Sequence, residues 1–208
     1  MNKLHFYAAR TLRDDAALQR LSVSQPDLLA DLAGRTVALI GNARALSQSR
    51  HGARIDACDR VIRINHAPMP SPDSHGSRTD WLALAVRMTD DDSARLRPGR
   101  LLWMSPKRKR LGFRIATSPG FYLHPLADYQ ALRGRLAAPP TTGAMLIDLA
   151  LRSDLTRLML FGFDFFASKS LSGSRGADQV PHDFGSEAAW VGDLLRSDAR
   201  LELIPTGA

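Results

Sequence analysis

Four short polar segments, far apart in the sequence, carry residues that together could bind a nucleotide. Gly41-Asn42, Asn65-His66 and Gly162-Phe163-Asp164 each follow a short apolar run that is typical of a buried strand. Thr141-Thr142-Gly143 begins a helical pattern, where free backbone N–H groups and the helix dipole favour an anion. Because ligands bind beyond the carboxyl ends of parallel strands, we expect the four segments to meet at one rim, with a phosphate near Thr142 and Gly143.

The commonest nucleotide-binding motifs are absent from this sequence. No GxGxxG follows the first predicted strand and no GxxxxGK[ST] occurs in the chain, which excludes a dinucleotide fingerprint and a P-loop. The remaining chemistry is that of a pocket built from asparagine amides, backbone N–H groups and arginine.

His182 is the candidate for proton transfer. It lies in PHDFGSE (181–187), after the Gly/Ser-rich segment 167–181, which is predicted to be a mobile lid, and Glu187 follows five residues later. A neutral imidazole can take a proton from a hydroxyl nucleophile. A histidine ahead of a helix is more often a cap or a surface residue, so both interpretations stay open from position alone.

Two charged segments have a functional and an ordinary interpretation. Asp90-Asp91-Asp92 could hold a metal on sugar-nucleotide phosphates, but a solvated turn and helix N-cap is favoured. The basic run PKRKRLGFR (106–114) could contact nucleic acid or an anionic membrane. No recognised nucleic-acid motif accompanies the run, so a solvated loop is the default.

The elements that must position these residues alternate between strand and helix. Apolar runs ended by turn residues predict strands at 35–41, 59–67, 79–86, 99–106, 157–166 and 200–205, and another within 113–124. Helices or turns are predicted at 43–52, 141–153 and 186–197. The alternation predicts an α/β fold with a single Rossmann-like domain at 35–208, in which a mostly parallel sheet has helices on both faces. Residues 1–34 are predicted to form an N-terminal helical arm, either as two short helices or as a partly loose segment.

The composition is that of an ordinary soluble protein with more basic than acidic residues. The net charge is +7, and 24 of the 28 basic residues are arginine, since only four are lysine. Arginine suits phosphate and carboxylate partners, although a genome rich in G and C would produce the same excess. Cys58 is the only cysteine, which rules out an intrachain disulfide and favours a reducing, cytoplasmic setting.

These residues resemble the sialyltransferase family that uses CMP-sugars, glycosyltransferase family 29. The segment 41–68 is similar to the family's large sialylmotif, and the likeness resumes at Gly76 and Arg78-Thr79. The small sialylmotif is matched by Thr142-Gly143, Ala150-Leu151 and Phe161-Gly162-Phe163, and the very small motif by His182 with Glu187. The three motifs occur in the family's order.

The resemblance implies an inverting, metal-independent glycosyltransferase with a GT-A-like variant of the fold. Such an enzyme moves a 2-keto sugar acid from a CMP-sugar to a hydroxyl of a glycan or glycolipid, with His182 as the general base. The residues implied to bind the CMP-sugar are Gly41, Asn42, Arg63, Asn65, Thr142, Gly143, Phe161, Gly162 and Phe163, with Glu187 and Arg78 in support. No cofactor and no metal are expected, because the CMP-sugar is itself a substrate.

The sequence departs from the animal enzymes in ways that indicate a bacterial version. The cysteine pair that joins the large and small motifs is missing, and we expect neither a signal anchor nor a stem. A cytoplasmic enzyme of surface polysaccharide synthesis is predicted, docked on the inner membrane face through 106–114 and without a nucleic-acid partner. Sialic acid and Kdo both remain candidate sugars. The alternative is a non-catalytic CMP-binding domain, or a basic module that binds nucleic acid or a membrane.

Overall fold

The computed structural model describes residues 1–164 and 182–205. Within them a single seven-stranded parallel sheet is formed by β1 (Thr36–Ile40), β2 (Arg60–Ile64), β3 (Trp81–Leu84), β4 (Arg100–Trp103), β5 (Tyr122–Leu123), β6 (Arg157–Phe161) and β7 (Leu201–Leu203). The spatial order of the strands is β5-β4-β3-β2-β1-β6-β7. The predicted α/β fold with a parallel sheet is therefore confirmed.

Helices connect these strands. Over the described residues they are α1 (Lys3–Leu12), α2 (Asp15–Gln19), α3 (Gln25–Ala30), α4 (Gly52–Asp56), α5 (Pro72–His75), α6 (Asp90–Leu96), α7 (Phe113–Ala116), α8 (Leu126–Leu136), α9 (Thr142–Ala150) and α10 (Phe184–Ser197). Two 3₁₀ helices cover Arg44–Gln48 and Arg108–Arg110.

Each face of the sheet has its own buried core, because successive side chains of a strand point in opposite directions. Val37 and Leu39 of β1 face one side and belong to a cluster with residues of α3, α8, α9 and α10. Ala38 and Ile40 face the other side, beside Leu46 and α4. Helices thus cover both faces, as the sequence predicts.

The N-terminal helices share the cores of the sheet. Phe6 of α1 and Leu18 of α2 are fully buried in the cluster around Trp103, on the same side as α7. Leu28 of α3 is buried on the opposite side, under α8 and α9. Residues 1–34 therefore contain the predicted helices, three rather than two, and these helices pack against both faces of the sheet.

The strand predicted within 113–124 is confirmed as Tyr122–Leu123, and the segment before it begins with the short helix α7. Helix α8 was not predicted, because only Leu132 and Leu136 of its eleven residues are buried and its apolar periodicity is therefore weak. The lid predicted at 167–181 lies outside the described residues.

The strand order creates a switch point between β1 and β6. From β1 the chain adds β2 to β5 on one side of the sheet, and it then adds β6 and β7 on the other side. The connections that leave β1 and β6 diverge, which opens a crevice beyond their carboxyl ends. This crevice is where a ligand site is expected in an open parallel sheet.

Because two histidines are buried, we expect the folded protein to be less stable in mildly acidic solution. Burial lowers the pKa of His75 and of His124 to about 4, from an ordinary value of 6.5. Between these two values the unfolded chain binds more protons than the folded chain, so lowering the pH favours unfolding. We expect the free energy of unfolding to fall by up to about 1.4 kcal/mol per pH unit for each of these histidines.

Urea unfolding at several pH values between about 7 and 4 measures this slope. In the variant His124→Phe, which keeps an aromatic ring but cannot titrate, the free energy of unfolding should depend less on pH. Equal slopes for the parent and the variant would contradict the assignment to His124.

Candidate functional site

A cleft of about 220 Å³ lies at the switch point, beyond the carboxyl ends of β1, β2 and β6. The residues that follow these strands line it, together with the start of α9 and residues at and before the start of α10. The predicted residues among its walls are Gly41, Asn42, Asn65, Thr142, Gly143, Gly162, Phe163, His182 and Glu187. The four segments that the sequence predicts to meet therefore do meet.

The floor of the cleft is formed by two backbone segments in close contact. A Cβ atom added to Gly41 would overlap the carbonyl oxygen of Gly162, so no other residue fits at position 41 without a shift of the backbone. Gly162 has a φ of +67°, a region that glycine adopts without strain. Gly41 N donates to Phe161 O at 2.7 Å, and Ala43 N donates to Gly162 O at 3.2 Å. These bonds fix the ends of β1 and β6 relative to each other.

Two asparagine side chains line the cleft, and they differ in how far their amide groups are already hydrogen-bonded to the protein. Asn65 has a φ of +55°, which asparagine tolerates better than most residues, and its Oδ1 accepts from Ala85 N at 2.8 Å. Its Nδ2 is therefore the group left to bind a ligand. Among the described residues, Asn42 has one side-chain hydrogen bond, a long contact of 3.4 Å from Nδ2 to Ile64 O, so within that part of the chain its amide is largely available.

The N-terminus of α9 forms an anion site on the wall of the cleft. Thr141 is the N-cap, and its Oγ1 accepts from Ala144 N at 3.1 Å. Within the described parts of the chain, the N–H groups of Thr142 and Gly143 have no hydrogen-bond partner. Two free N–H groups at the positive end of a helix favour a phosphate or carboxylate group.

Phe163 forms the wall next to this anion site. A Cβ atom added to Gly143 would lie 2.7 Å from Cε1 of Phe163, which shows that the ring packs directly on the helix backbone. The glycine therefore permits both the packing of Phe163 and the access of a ligand to the N–H groups.

His182 is oriented by a backbone carbonyl. Its Nδ1 lies 2.7 Å from Pro139 O. A carbonyl oxygen only accepts hydrogen bonds, so Nδ1 carries the proton in the neutral ring and Nε2 carries the free lone pair. The ring is thereby prepared to accept a proton at Nε2.

Glu187 joins α10 to the start of α9. Its carboxylate accepts from Thr141 N at 2.6 Å and from Thr141 Oγ1 at 2.8 Å, and its side chain is buried. Burial raises its pKa, while the bonds from Thr141 and the nearby charge of His182 oppose that rise. The contact fixes the first turn of α10, and hence His182 just before it, relative to the anion site of α9.

Arg63 was predicted to bind the CMP-sugar, and the structure corrects this prediction. Its side chain is 1% exposed and is absent from the walls of the cleft. The guanidinium donates to Arg78 O at 2.8 Å, to Thr79 Oγ1 at 3.1 Å and to His75 O at 2.7 Å. A buried strand carries this arginine because it satisfies polar groups of the loop 75–79.

Arg78 and Phe161 also point away from the cleft. Arg78 donates to Asp56 O and Cys58 O and pairs with Asp80, so its predicted supporting role is structural. Phe161 is fully buried on the face opposite to Leu160, where its ring packs near His51. The alternation of side chains along β6 explains why Phe161 is turned away from the cleft while Gly162 and Phe163, beyond the end of the strand, line it.

The acidic run is a helix cap. Thr89 and Asp92 form a capping box at the start of α6, and Asp92 Oδ2 also lies 2.7 Å from His66 Nδ1. The favoured interpretation of Asp90-Asp91-Asp92 as a turn and N-cap agrees with this geometry. The pair of His66 with Asp92 was not anticipated, because nothing in the sequence links residues so far apart.

Thr141 and Pro139 are the functional residues that the sequence reasoning undervalued. Thr141 could have been found from the preference of threonine for N-cap positions. Pro139 acts through its carbonyl oxygen, for which a sequence carries no signal.

Comparison with known proteins supports the same family. A family model described as glycosyltransferase family 29 (sialyltransferase) matches residues 8–94, which is less than half of the chain. No curated protein matches the chain. The match covers the region of the large sialylmotif, and it confirms the predicted resemblance to that family.

Solved sialyltransferase structures share the fold. A mammalian sialyltransferase in complex with Gal-beta-1-3GalNAc-ortho-nitrophenol is 18% identical with a TM-score of 0.61, over 100% of this chain and 88% of that chain. The sialyltransferase CstII from Campylobacter jejuni in complex with cytidine-5'-monophosphate is 12% identical with a TM-score of 0.58, over 84% of this chain and 81% of that chain. A third structure, CST-II with a trisaccharide acceptor and CMP, is 12% identical with a TM-score of 0.54, over 81% of this chain and 80% of that chain.

Replacing Gly143 by alanine tests the anion site. The added methyl group would collide with the ring of Phe163, and relief of such overpacking costs about 1–3 kcal/mol. We expect the affinity for CMP to fall about tenfold, measured by calorimetric titration.

Gly134→Ala is the matched control, since Gly134 is also a helical glycine and an added Cβ there meets nothing within 4 Å. The control should bind CMP like the parent. Equal affinities of Gly143→Ala and Gly134→Ala for CMP would show that CMP does not bind at the start of α9.

Proposed function

We propose that this glycosyltransferase moves a 2-keto sugar acid, sialic acid or Kdo, from CMP to a hydroxyl group of a glycan or glycolipid, with inversion and without a metal. The observation that carries the proposal is the arrangement of His182, whose Nε2 is free to accept a proton, in the same cleft as the anion site of α9. A base and a site for the leaving phosphate are what an in-line displacement requires.

In this proposal the phosphate of CMP binds at the N–H groups of Thr142 and Gly143. These groups stabilise the negative charge that develops on the leaving phosphate as the glycosidic C–O bond breaks. The amides of Asn42 and Asn65, which also line the cleft, bind the ribose or the base. The solved relatives with bound CMP support a cytidine nucleotide as the occupant.

The proposed reaction transfers one proton and one glycosyl group. His182 Nε2 takes the proton of the acceptor hydroxyl, whose oxygen forms a bond to the anomeric carbon on the side opposite to CMP. The electron pair of the broken bond leaves with CMP as a phosphate monoester. Glu187 lies close enough to His182 for their charges to interact, so its carboxylate favours the imidazolium that forms.

A metal plays no part in the proposed step. In the described parts of the chain no group of three or more His, Cys, Asp or Glu side chains is arranged to hold a metal ion. The described walls of the cleft contain no lysine or arginine, so the proposal assigns the stabilisation of the phosphate there to N–H groups and asparagine amides.

The proposal includes a cytoplasmic location on the inner face of a bacterial membrane, in the synthesis of a surface polysaccharide. None of the described helices has the length and apolar character to cross a bilayer. Lys107, Lys109 and Arg110 of the basic run are exposed and are proposed to contact the anionic surface. Arg108 is excluded from that role, because it is buried and pairs with Asp15 at 2.7 Å.

Titration with nucleotides tests the donor class. We expect calorimetry without added metal to show selective binding of CMP over CDP, UDP and GDP, because the cleft is proposed to hold a single phosphate. A comparison of CMP-sialic acid with CMP-Kdo as donors then identifies the sugar. Preferential binding of UDP or GDP, or a requirement for a divalent cation, would contradict the proposed donor site.

Replacing His182 tests the transfer step. The variant His182→Ala should keep the CMP affinity of the parent and lose transfer to a soluble acceptor by about 100-fold or more, because only the base is removed. Release of CMP from the donor in the presence of the acceptor measures transfer. His5→Ala, a replacement of an exposed histidine on α1, is the control and should leave transfer unchanged. Unchanged transfer in His182→Ala would contradict the role of His182 as the general base, and no transfer by the parent itself would assign the cleft to a non-catalytic CMP-binding protein.

A further inference from the structure

The exposed large hydrophobic side chains of the described chain lie together, at its N-terminus. They are Met1, Leu4, Tyr7 and Leu12, and the two leucines are 77% and 79% exposed. Single exposed apolar residues are common on protein surfaces. Their concentration in and next to one ten-residue helix, α1, indicates that this surface has an apolar partner.

Helix α1 is held firmly with its other face against the fold. Phe6 and Ala9 are buried, and the ring of Phe6 packs edge-on against Phe113 at a centroid distance of 5.5 Å. The guanidinium of Arg10 donates to Leu111 O at 2.9 Å. The outward position of Leu4 and Leu12 is therefore a property of the folded protein and not of a frayed end.

A basic groove borders this apolar surface. Tyr7 and Arg10 of α1 line it together with Arg87, Asp90, Arg110 and Arg114. Four arginines and one aspartate give the groove a formal charge of +3, counted as 4 − 1. Arg114 pairs with Asp90 at 2.7 Å. Planar guanidinium groups suit phosphate oxygens.

We propose that α1 and the basic groove together bind the surface of an anionic lipid bilayer. In this arrangement Leu4 and Leu12 enter the boundary between headgroups and acyl chains, and the arginines contact lipid phosphates. A bilayer fits both features, because it offers negative charge and an apolar phase side by side. Nucleic acid would use the arginines but leave Leu4 and Leu12 in water.

The position of the groove relates this surface to the cleft. Arg87 follows the carboxyl end of β3, and Arg110 and Arg114 follow the carboxyl end of β4, so the groove lies on the edge of the sheet to which the cleft opens. A bilayer bound there would lie on the side from which an acceptor enters. This link to a lipid-borne acceptor rests on the proposed function, and the binding of the bilayer by α1 and the groove extends the membrane contact proposed above for Lys107, Lys109 and Arg110.

Co-sedimentation of the full chain with lipid vesicles tests the proposal. We expect binding to vesicles of phosphatidylcholine with about one-quarter phosphatidylglycerol, little binding to phosphatidylcholine alone, and weaker binding as salt is raised. The double variant Leu4→Ser/Leu12→Ser should bind anionic vesicles at least about tenfold more weakly than the parent. The variant Arg110→Glu should show a loss of the same size.

Arg133→Glu is the matched control for charge. Arg133 is exposed on α8, on the face of the sheet opposite to α1, and its replacement changes the net charge as Arg110→Glu does. The control should bind vesicles within about twofold of the parent. Thermal unfolding of all variants should match the parent, since every replaced side chain is exposed.

Several outcomes would overturn the proposal. These are no binding to anionic vesicles, equal binding to both vesicle types, or parent-like binding by Leu4→Ser/Leu12→Ser. A dimer of the parent that is absent in this double variant would assign the surface to a second copy of the chain. An oligonucleotide that displaces the vesicles would assign the groove to nucleic acid.

CMP titration and transfer to a soluble acceptor should be unchanged in the double variant, so a failure of the proposed function is seen separately from a failure of membrane binding.

Discussion

The buried contact between Glu187 and Thr141 is the interaction on which the site depends. Burial of a carboxylate is costly unless hydrogen bonds and nearby positive charge compensate it. Here the backbone N–H and the hydroxyl of Thr141 and the nearby His182 offset part of that cost, while burial still raises the pKa of Glu187. Because Glu187 bonds to the residue before them, the N–H groups of Thr142 and Gly143 have no partner within residues 1–164 and 182–205. A single carboxylate thus joins the segment that carries His182 to the start of α9.

A second buried network supports the other side of the cleft without touching it. Arg63 binds the carbonyl groups of His75 and Arg78, and Asp56 accepts from Ser77 N and Arg78 N. Burial lowers the pKa of Arg63 to about 10, so the side chain stays charged at neutral pH and keeps its donors. This network holds the loop 75–79 against β2, whose end carries Asn65. The residues that resemble the large sialylmotif therefore divide into asparagines that line the cleft and arginines that stabilise the fold.

The sequence predicts the strands well and the direction of individual side chains poorly. The apolar runs that end in glycine or asparagine identify β1, β2 and β6, since few other structures bury such runs. Arg63 was misassigned because the face that a strand residue occupies depends on its register and on partners distant in sequence, here His75 and Arg78. Helix α8 was missed for a similar reason, because its packing against α9 rather than its own pattern stabilises it. The contact of His182 with Pro139 also depends on tertiary structure, and only the family resemblance singled out His182 as the base.

The parallel sheet explains why the cleft and the basic groove share one edge. Every strand of a parallel sheet ends on the same side, so the loops after β1, β2, β3, β4 and β6 are all presented in one direction. The strand order places the cleft at the β1–β6 switch point, and it places β3 and β4 further along the same edge. Helix α1 extends that edge because Phe6 packs beside Phe113, in the segment that follows β4. The topology itself thus places the cleft and the basic groove on the same edge of the sheet.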